Sequence, residues 1–363
     1  MRFTSVRFDR FRNISNSSVS VDAKQVMLIG PNGQGKTNFI EALYTLCYGS
    51  SFKAVNSREM IRHGEKDFSL SATLKNDEGF DQTIEYRFFD GKRSMSIDGR
   101  EVRDRKELIY NVPCIVFSHD DISFVRGEPE FRRRFFDQTM SMYNPLFFDD
   151  MRRYKAILKQ RNAAIKDERT DLIPIYDGQL ARYGIEIQRE RIKAVYEFNK
   201  IFPRMYGQVS CTGTEISIEY VPSWGDCATV QDVEEKLART LQRDIKLQTT
   251  ASGVHRDRFV VVDENGPFTL SGSTGQLRLA SLIFRMAQTS FYRMKTGKEP
   301  VLLVDDVLLE LDVKRRGAFL EMMEGYSQAF FTFLPEERYF SALADDDCLI
   351  YDVDDGRLSV HEG

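Results

Sequence analysis

Residues 30 to 37 read GPNGQGKT and fit G-x-x-x-x-G-K-[ST] at every fixed position. The apolar run QVMLIG leads into them, and Phe39, Ile40, Leu43, Tyr44 and Leu46 follow at helical spacing. No other stretch constrains the fold as tightly, because a buried strand has to stop, curl through glycines and open a helix within a few residues. That commits the chain to an α/β arrangement. Gly30 and Gly35 let the backbone curl, Asn32 and Gly33 fill the turn, and successive N–H groups converge where the helix dipole favours an anion. The anion expected there is the phosphate chain of a nucleotide, with Lys36 reaching the β- and γ-phosphates, Thr37 offering its hydroxyl to Mg²⁺, and Asn38 beside it. An ordinary glycine turn before a helix is the other reading of these residues.

The loop alone does not separate a kinase, a GTPase and an ATPase, so a second acidic motif matters. VLLVDD, residues 301 to 306, is an apolar strand ending in two carboxylates. Asp305 is assigned to the metal and Asp306 to orienting or deprotonating an attacking water; a strand end with solvated charges is the alternative. The two motifs stand much further apart than in compact nucleotide kinases or GTPases. Between them lies LSGSTGQLRLASLIFRMAQ, residues 270 to 288, a Ser-x-Gly-Gln turn opening a largely apolar helix. Free N–H groups and a serine hydroxyl at a helix start make a second phosphate-binding surface, or simply a serine-rich cap.

A chain of 363 residues, 42% hydrophobic and 29% charged, is long enough for two domains or for one domain with a large insertion. Strand-like runs fill the first 120 residues, helical patterns run from about 146 to 203 in two segments separated by DERTDLIP, and strand character returns after 210. The expectation is a head formed by 1–120 and 246–363, interrupted by a helical arm at 121–245. Cys47, Cys114, Cys211, Cys227 and Cys348 lack C-x-x-C spacing and read as reduced packing residues. A charged start and the lack of any apolar run of about 18 residues lead us to expect a soluble, cytoplasmic protein.

The order of loop, helical insertion, Ser-x-Gly-Gln turn and Asp-Asp strand followed by ELD resembles the ATP-binding-cassette heads of the SMC and Rad50 group, and within it the RecF family. FDRFRNI at 8 to 14, SREMIRHGE at 57 to 65, IVFSHDDISFVRGEPEFRRRFFD at 115 to 137, SGVHRDRF at 252 to 259 and LLVDDVLLELDVKRR at 302 to 316 carry the likeness nearly end to end. The resemblance implies a P-loop ATPase head with an inserted helical arm, too short for the long coiled coils of SMC and Rad50 proteins. It implies a DNA-binding ATPase that dimerises head to tail around ATP and Mg²⁺. Ser273, Gly275 and Gln276 of one subunit then complete the site of the other, Asp312 lies in the loop crossing the interface, and Arg12 and Asn13 lie near the nucleotide base.

This chain departs from the family pattern in places. It has GVHRDR where the family carries Gly-Pro-His-Arg-Asp, which leaves the family role of His255 unassigned and favours a core-facing or capping histidine. Ser118, His119 and Asp120 stand where transporter-type heads place a glutamine, and Thr332 stands near the position of a switch histidine. Slow hydrolysis, a timer rather than a motor, is the expectation.

Net charge is −4, so attraction to nucleic acid has to be local. Residues 126 to 161 hold nine basic residues, among them Arg132, Arg133, Arg152 and Arg153, against five acidic ones. They can contact phosphates without reading sequence, or form a solvated helix face. By resemblance the partners are single- and double-stranded DNA, a second copy of the chain, the RecO and RecR mediators and RecA recombinase, with roles in gap repair and SOS induction. A non-hydrolysing ATP-bound scaffold and a transporter ATPase subunit are the competing readings.

Overall fold

The computed structural model describes residues 1–210, 213–337 and 346–361, so Cys211 lies outside the described residues. The chain divides into two compact units, Met1–Asp120 with Gln288–Gly363, and Asp121–Ala287.

The first unit holds two six-stranded sheets. One is antiparallel, in the order Ser17–Ser20, Arg2–Asp9, Phe68–Lys75, Asp81–Phe89, Lys92–Ile97 and Arg100–Glu101. Its central strand Phe68–Lys75 buries Phe68, Leu70, Ala72 and Leu74 on one face, the period of two that a half-covered sheet requires. The other runs Arg357–Val360, Cys348–Asp354, Gln25–Ile29, Gln328–Phe333, Val301–Val304 and Cys114–Phe117, parallel throughout except for the outer hairpin. Gln25–Ile29, Gln328–Phe333, Val301–Val304 and Cys114–Phe117 are buried at every residue, as strands covered on both faces must be.

Helix Lys36–Tyr48 fills the space between these sheets. The ring of Phe39 lies 5.3 Å from Phe8 of the antiparallel sheet and 6.2 Å from Phe330 of the parallel one. This double contact explains why the helix has almost no polar face. Gln328 joins the layers by hydrogen bonding: Phe3 N–H donates to its Oε1 at 2.8 Å, and its Nε2 donates to the carbonyls of Val21 at 2.7 Å and Ala23 at 2.9 Å. The strands that precede the glycine loop, Asp305 and Leu334 run parallel in neighbouring positions, so the chain leaves all three at the same sheet edge.

The second unit is mainly helical. Helices Pro145–Lys166 and Ile173–Phe198 are separated by a short turn at DERTDLIP, as the sequence suggests. Asn144 bonds Glu190, and Arg161 bonds Asp177, a register that runs antiparallel. Helix Val230–Leu247, which the sequence reading passed over, packs on this pair. The return to the head also differs from the expected residue 246. Strand Arg258–Asp263 pairs with Ser217–Val221 and Gly266–Pro267 in a sheet of its own. Phe259 stacks on Phe136 at 4.3 Å, and Phe284 meets Phe202 at 4.4 Å. These aromatic contacts hold 246–287 in the inserted unit.

Candidate functional site

The glycine loop leaves the buried strand Gln25–Ile29 beside a neighbouring strand that admits no side chain. A Cβ on Gly30 would stand 2.3 Å from the carbonyl oxygen of Val353. Gly33 and Gly35 have φ of 82° and 119°, the left-handed region that favours glycine. Lys36 opens the helix, is 3% exposed, and donates through Nζ to the carbonyls of Gly30 at 2.6 Å and Pro31 at 3.1 Å. The first N–H groups of that helix have no carbonyl of their own turn to bond, so they form a donor cradle closed on one side by an ammonium.

Two supports hold the cradle in place. Asn13 donates to the Gly33 carbonyl at 3.3 Å and accepts from Asn38 at 2.8 Å. Arg12 forms a two-pronged ion pair with Glu41, both bonds at 2.9 Å, and Glu41 is fully buried in the helix. On the other side Gln34 accepts from Asp355 N–H at 2.6 Å through its side chain and from Gly356 N–H at 2.9 Å through its carbonyl. Glu41 and Gln34 were missed from the sequence. A carboxylate inside an otherwise apolar helix face was the one signal for Glu41.

Asp305 follows strand Val301–Val304, and its N–H donates to the Phe117 carbonyl at 3.0 Å. Thr37 donates its hydroxyl to Asp305 Oδ1 at 2.9 Å, although 268 residues separate the two. Asp306 adopts a left-handed φ of 52°, which aspartate tolerates better than most residues, and its carboxylate lies 3.9 Å from Lys36 Nζ. Thr332 stands between the acids. Its hydroxyl oxygen accepts from Asp306 N–H at 2.8 Å, and its hydroxyl lies 2.9 Å from Asp306 Oδ1 and 3.2 Å from Asp305 Oδ1. Burial, above all, pushes the Asp305 carboxyl up to about 6, reinforced by the charge of Asp306 and opposed by the Thr37 and Thr332 hydroxyls and the Lys53 charge.

This donor set fits a hard divalent cation. It offers one hydroxyl and one carboxylate, and the described residues contain no cluster of three or more His, Cys, Asp or Glu. Mg²⁺ is held in this way when phosphate oxygens supply the remaining ligands. Ser118, His119 and Asp120 follow strand Cys114–Phe117, the parallel neighbour of the strand that ends at Asp305.

The other expected site residues serve first as caps. Ser273 N–H donates to Gln276 Oε1 at 2.8 Å while Ser273 Oγ accepts from Gln276 N–H at 3.4 Å, a reciprocal box at the start of helix Thr274–Thr296. Ser273 and Gly275 remain exposed, and a Cβ on Gly275 would meet nothing. Asp312 caps helix Val313–Met322 through Arg315 N–H at 3.0 Å. Ser273, Gly275 and Gln276 belong to the second unit; Asp312 belongs to the first.

The basic residues of the arm do not all face outward. Arg161 is fully buried between Asp177 at 2.6 Å and Asp244 at 2.7 Å. Arg132 donates to the Val125 and Gly127 carbonyls, and Arg133 to that of Asp257. These three cations hold the unit together. Arg152, paired with Asp149, and Arg153, over the Tyr183 ring, are exposed. His255 is also structural: its Nδ1 lies 2.8 Å from the Tyr154 hydroxyl and its Nε2 3.0 Å from the Thr250 carbonyl. A carbonyl only accepts, so Nε2 carries the proton and Nδ1 accepts from tyrosine.

Comparison with known proteins agrees with this geometry. The family model described as the RecF/RecN/SMC N terminal domain matches residues 2–355. The DNA replication and repair protein RecF of Treponema pallidum (strain Nichols) is 37% identical over 329 residues, 91% of this chain and 93% of that one. The protein of the same description from Leptospira interrogans serovar copenhageni is 32% identical, covering 89% and 88% of the two chains. Among solved structures, the recombination mediator protein RecF-ATP in the RecFOR pathway superposes with a TM-score of 0.90 at 24% identity, over 99% and 98% of the chains. An Smc head bound to the C-winged helix domain of ScpA gives 0.60 at 15% identity, over 99% and 97%, so the fold is that of an ATP-binding-cassette head. A glycine loop and an acid pair joined at one sheet edge, on a fold shared with these heads and a sequence shared with these relatives, place the chain in the RecF family of DNA replication and repair proteins.

Proposed function

We propose that this chain binds ATP with Mg²⁺ at the loop-and-acid site and uses it to gate a head-to-tail homodimer on DNA. The observation that carries the reading is the Thr37–Asp305 hydrogen bond, which gives a metal two protein oxygens beside a phosphate cradle. Lys36 and the N–H groups opening its helix bind the phosphates, while Arg12 and Asn13 border the loop on the side assigned to the base. The metal, when bound, supplies positive charge to the β- and γ-phosphate oxygens. Asp306 orients the attacking water. Ser273 and Gly275, exposed on the second unit, complete the site of a second copy, with Gln276 capping the turn that presents them and Asp312 at the interface.

Hydrolysis is slow, because Thr332 cannot exchange a proton near neutral pH as a histidine can, and DNA binding stimulates it. The chain acts in the cytoplasm on single- and double-stranded DNA without reading sequence. Exposed Arg152 and Arg153 contribute to that contact; Arg132 and Arg133 support the fold behind it. With RecO and RecR it directs RecA to single-strand gaps and so supports SOS induction.

Light scattering with ATP and Mg²⁺, with and without duplex DNA, tests the assembly: wild type dimerises and Ser273→Arg stays monomeric. A Ser273→Arg chain that dimerises as well as wild type refutes the shared site. The threonine at the switch position also favours a second reading, a scaffold that holds ATP without turning it over. Phosphate release that DNA fails to raise selects the scaffold.

A further inference from the structure

The first unit has a second concave site, outside the loop-and-acid site. A cleft of about 580 Å³ opens between the chain after helix Lys36–Tyr48 and the hairpin that joins strands Asp81–Phe89 and Lys92–Ile97. Ser51, Asn56, Ser57, Arg58 and Arg93 line it, over a floor that includes Met60 and Phe88. Arg58 and Arg93 are exposed, and neither guanidinium has a hydrogen bond or ion pair among the described residues. This contrasts with Arg161, Arg191 and Arg285, whose charges are neutralised inside the second unit.

Of the carboxylates nearby, Glu41 and Glu59 are committed elsewhere, and exposed Asp90, beside the lining Gly91, forms an ion pair with neither arginine. Glu41 takes both prongs of Arg12 and the Ser51 hydroxyl, and Glu59 accepts from Val55 N–H and the Asn56 amide. The cleft therefore shows two cations with no ion pair among the described residues, while the Ser51, Asn56 and Ser57 side chains that line it already bond Glu41, Glu59 and Tyr86.

We infer that this cleft seats the sugar-phosphate backbone of DNA, with Arg58 and Arg93 each neutralising a phosphate. The chemistry fits a polyanion read by charge: two planar donor forks line one cleft, and neither has an ion pair among the described residues that would have to be displaced. The site is also tied to the nucleotide loop. Ser51 accepts from Lys53 N–H at 2.8 Å and Ala54 N–H at 2.7 Å, donates to Glu41, and Glu41 holds Arg12, whose neighbour Asn13 bonds the Gly33 carbonyl. These bonds connect the cleft wall to the support of the phosphate loop.

The inference rests on the DNA-binding reading above, and the test separates the two. Fluorescence anisotropy of a labelled duplex, with the full chain and ATP plus Mg²⁺, is measured across a salt series for wild type, Arg58→Ala/Arg93→Ala and Arg87→Ala. Arg87 lies on the same sheet, 61% exposed, outside the cleft, and paired with Glu85 at 2.9 Å. The double variant should bind about tenfold or more weakly, with a salt slope lower by about 2, one for each phosphate that is no longer neutralised. Arg87→Ala should match wild type, and all three should bind ATP equally. Wild type that fails to bind the duplex overturns the DNA reading and this one with it. A double variant that binds like wild type overturns the cleft alone. Equal losses in the double variant and Arg87→Ala overturn it in favour of diffuse charge.

Discussion

One hydroxyl, that of Thr332, serves two neighbouring carboxylates at the end of a buried strand, accepting from the Asp306 backbone while lying within reach of both acids. Thr332→Val keeps the shape and removes that bridge. It leaves a part-buried N–H and two carboxylates short of a partner, a loss of about 1–3 kcal/mol. The urea midpoint and the Mg²⁺ dependence of nucleotide binding should both fall, and Thr332→Ser should restore them. A valine variant that matches wild type in both would rule the bridge out.

His255 provides a pH test. Burial, the largest influence, lowers its pKa from 6.5 to about 4, so the folded ring is neutral near pH 7. As pH falls below 6.5 the unfolded chain takes up a proton that the folded chain refuses until about 4. The contribution to stability is therefore complete above 6.5 and is lost on the way down to about 4. Wild type should lose about 2 kcal/mol more than His255→Gln between pH 7 and pH 5, measured by urea unfolding at each pH. Parallel losses in the two proteins would contradict the neutral, doubly bonded ring.

At the scale of elements, Arg161 fastens three helices. From Pro145–Lys166 it reaches Asp177 of Ile173–Phe198 and Asp244 of Val230–Leu247, and it also donates to Thr250 at 2.9 Å. Arg161→Met strands two buried carboxylates and should cost about 3–5 kcal/mol, read as a lower urea midpoint. Helix Ile173–Phe198 also packs closely at Gly184, where a Cβ would stand 2.4 Å from the Trp224 ring and 3.2 Å from the Tyr154 ring of helix Pro145–Lys166. Gly184→Ala should destabilise by about 1–3 kcal/mol despite the better helix propensity of alanine. A neutral result for either variant would show that the arm repacks.

The sequence carried a sign of Arg161's position that counting charges obscured. Phe147, Met151, Tyr154 and Ile165 form the buried stripe, and Arg161 sits four residues before Ile165 on that same face. Helix Val230–Leu247 was legible too, from the capping box of Thr229 and Asp232. The strand Arg258–Asp263 was recognisable as a strand, but its partner was not. A run such as RFVVVD encodes a pleated, half-buried surface and says nothing of which sheet it joins.

At the scale of the whole molecule, what could be read in advance was whatever backbone chemistry forces into a fixed local pattern. The glycine loop, Lys36, Thr37 and the Asp305–Asp306 pair were of this kind, because phosphate and metal geometry leave few alternatives. The Gln34 tether to residues 355 and 356, and the Arg12–Glu41 pair that supports the loop, were not. They depend on segments meeting only after the sheets have formed. Asp305 shows the division most clearly: the motif marks the carboxylate, and only the fold gives it the Thr37 and Thr332 hydroxyls.

The central claim is that loop and acid strand form one nucleotide site whose occupancy controls DNA binding. Retention of the chain on an immobilised duplex, with and without ATP and Mg²⁺, tests it most directly in wild type, Lys36→Arg and Asp305→Asn. ATP should prolong retention of wild type and have no effect on either variant. Retention of the variants that rises with ATP as it does for wild type would contradict it.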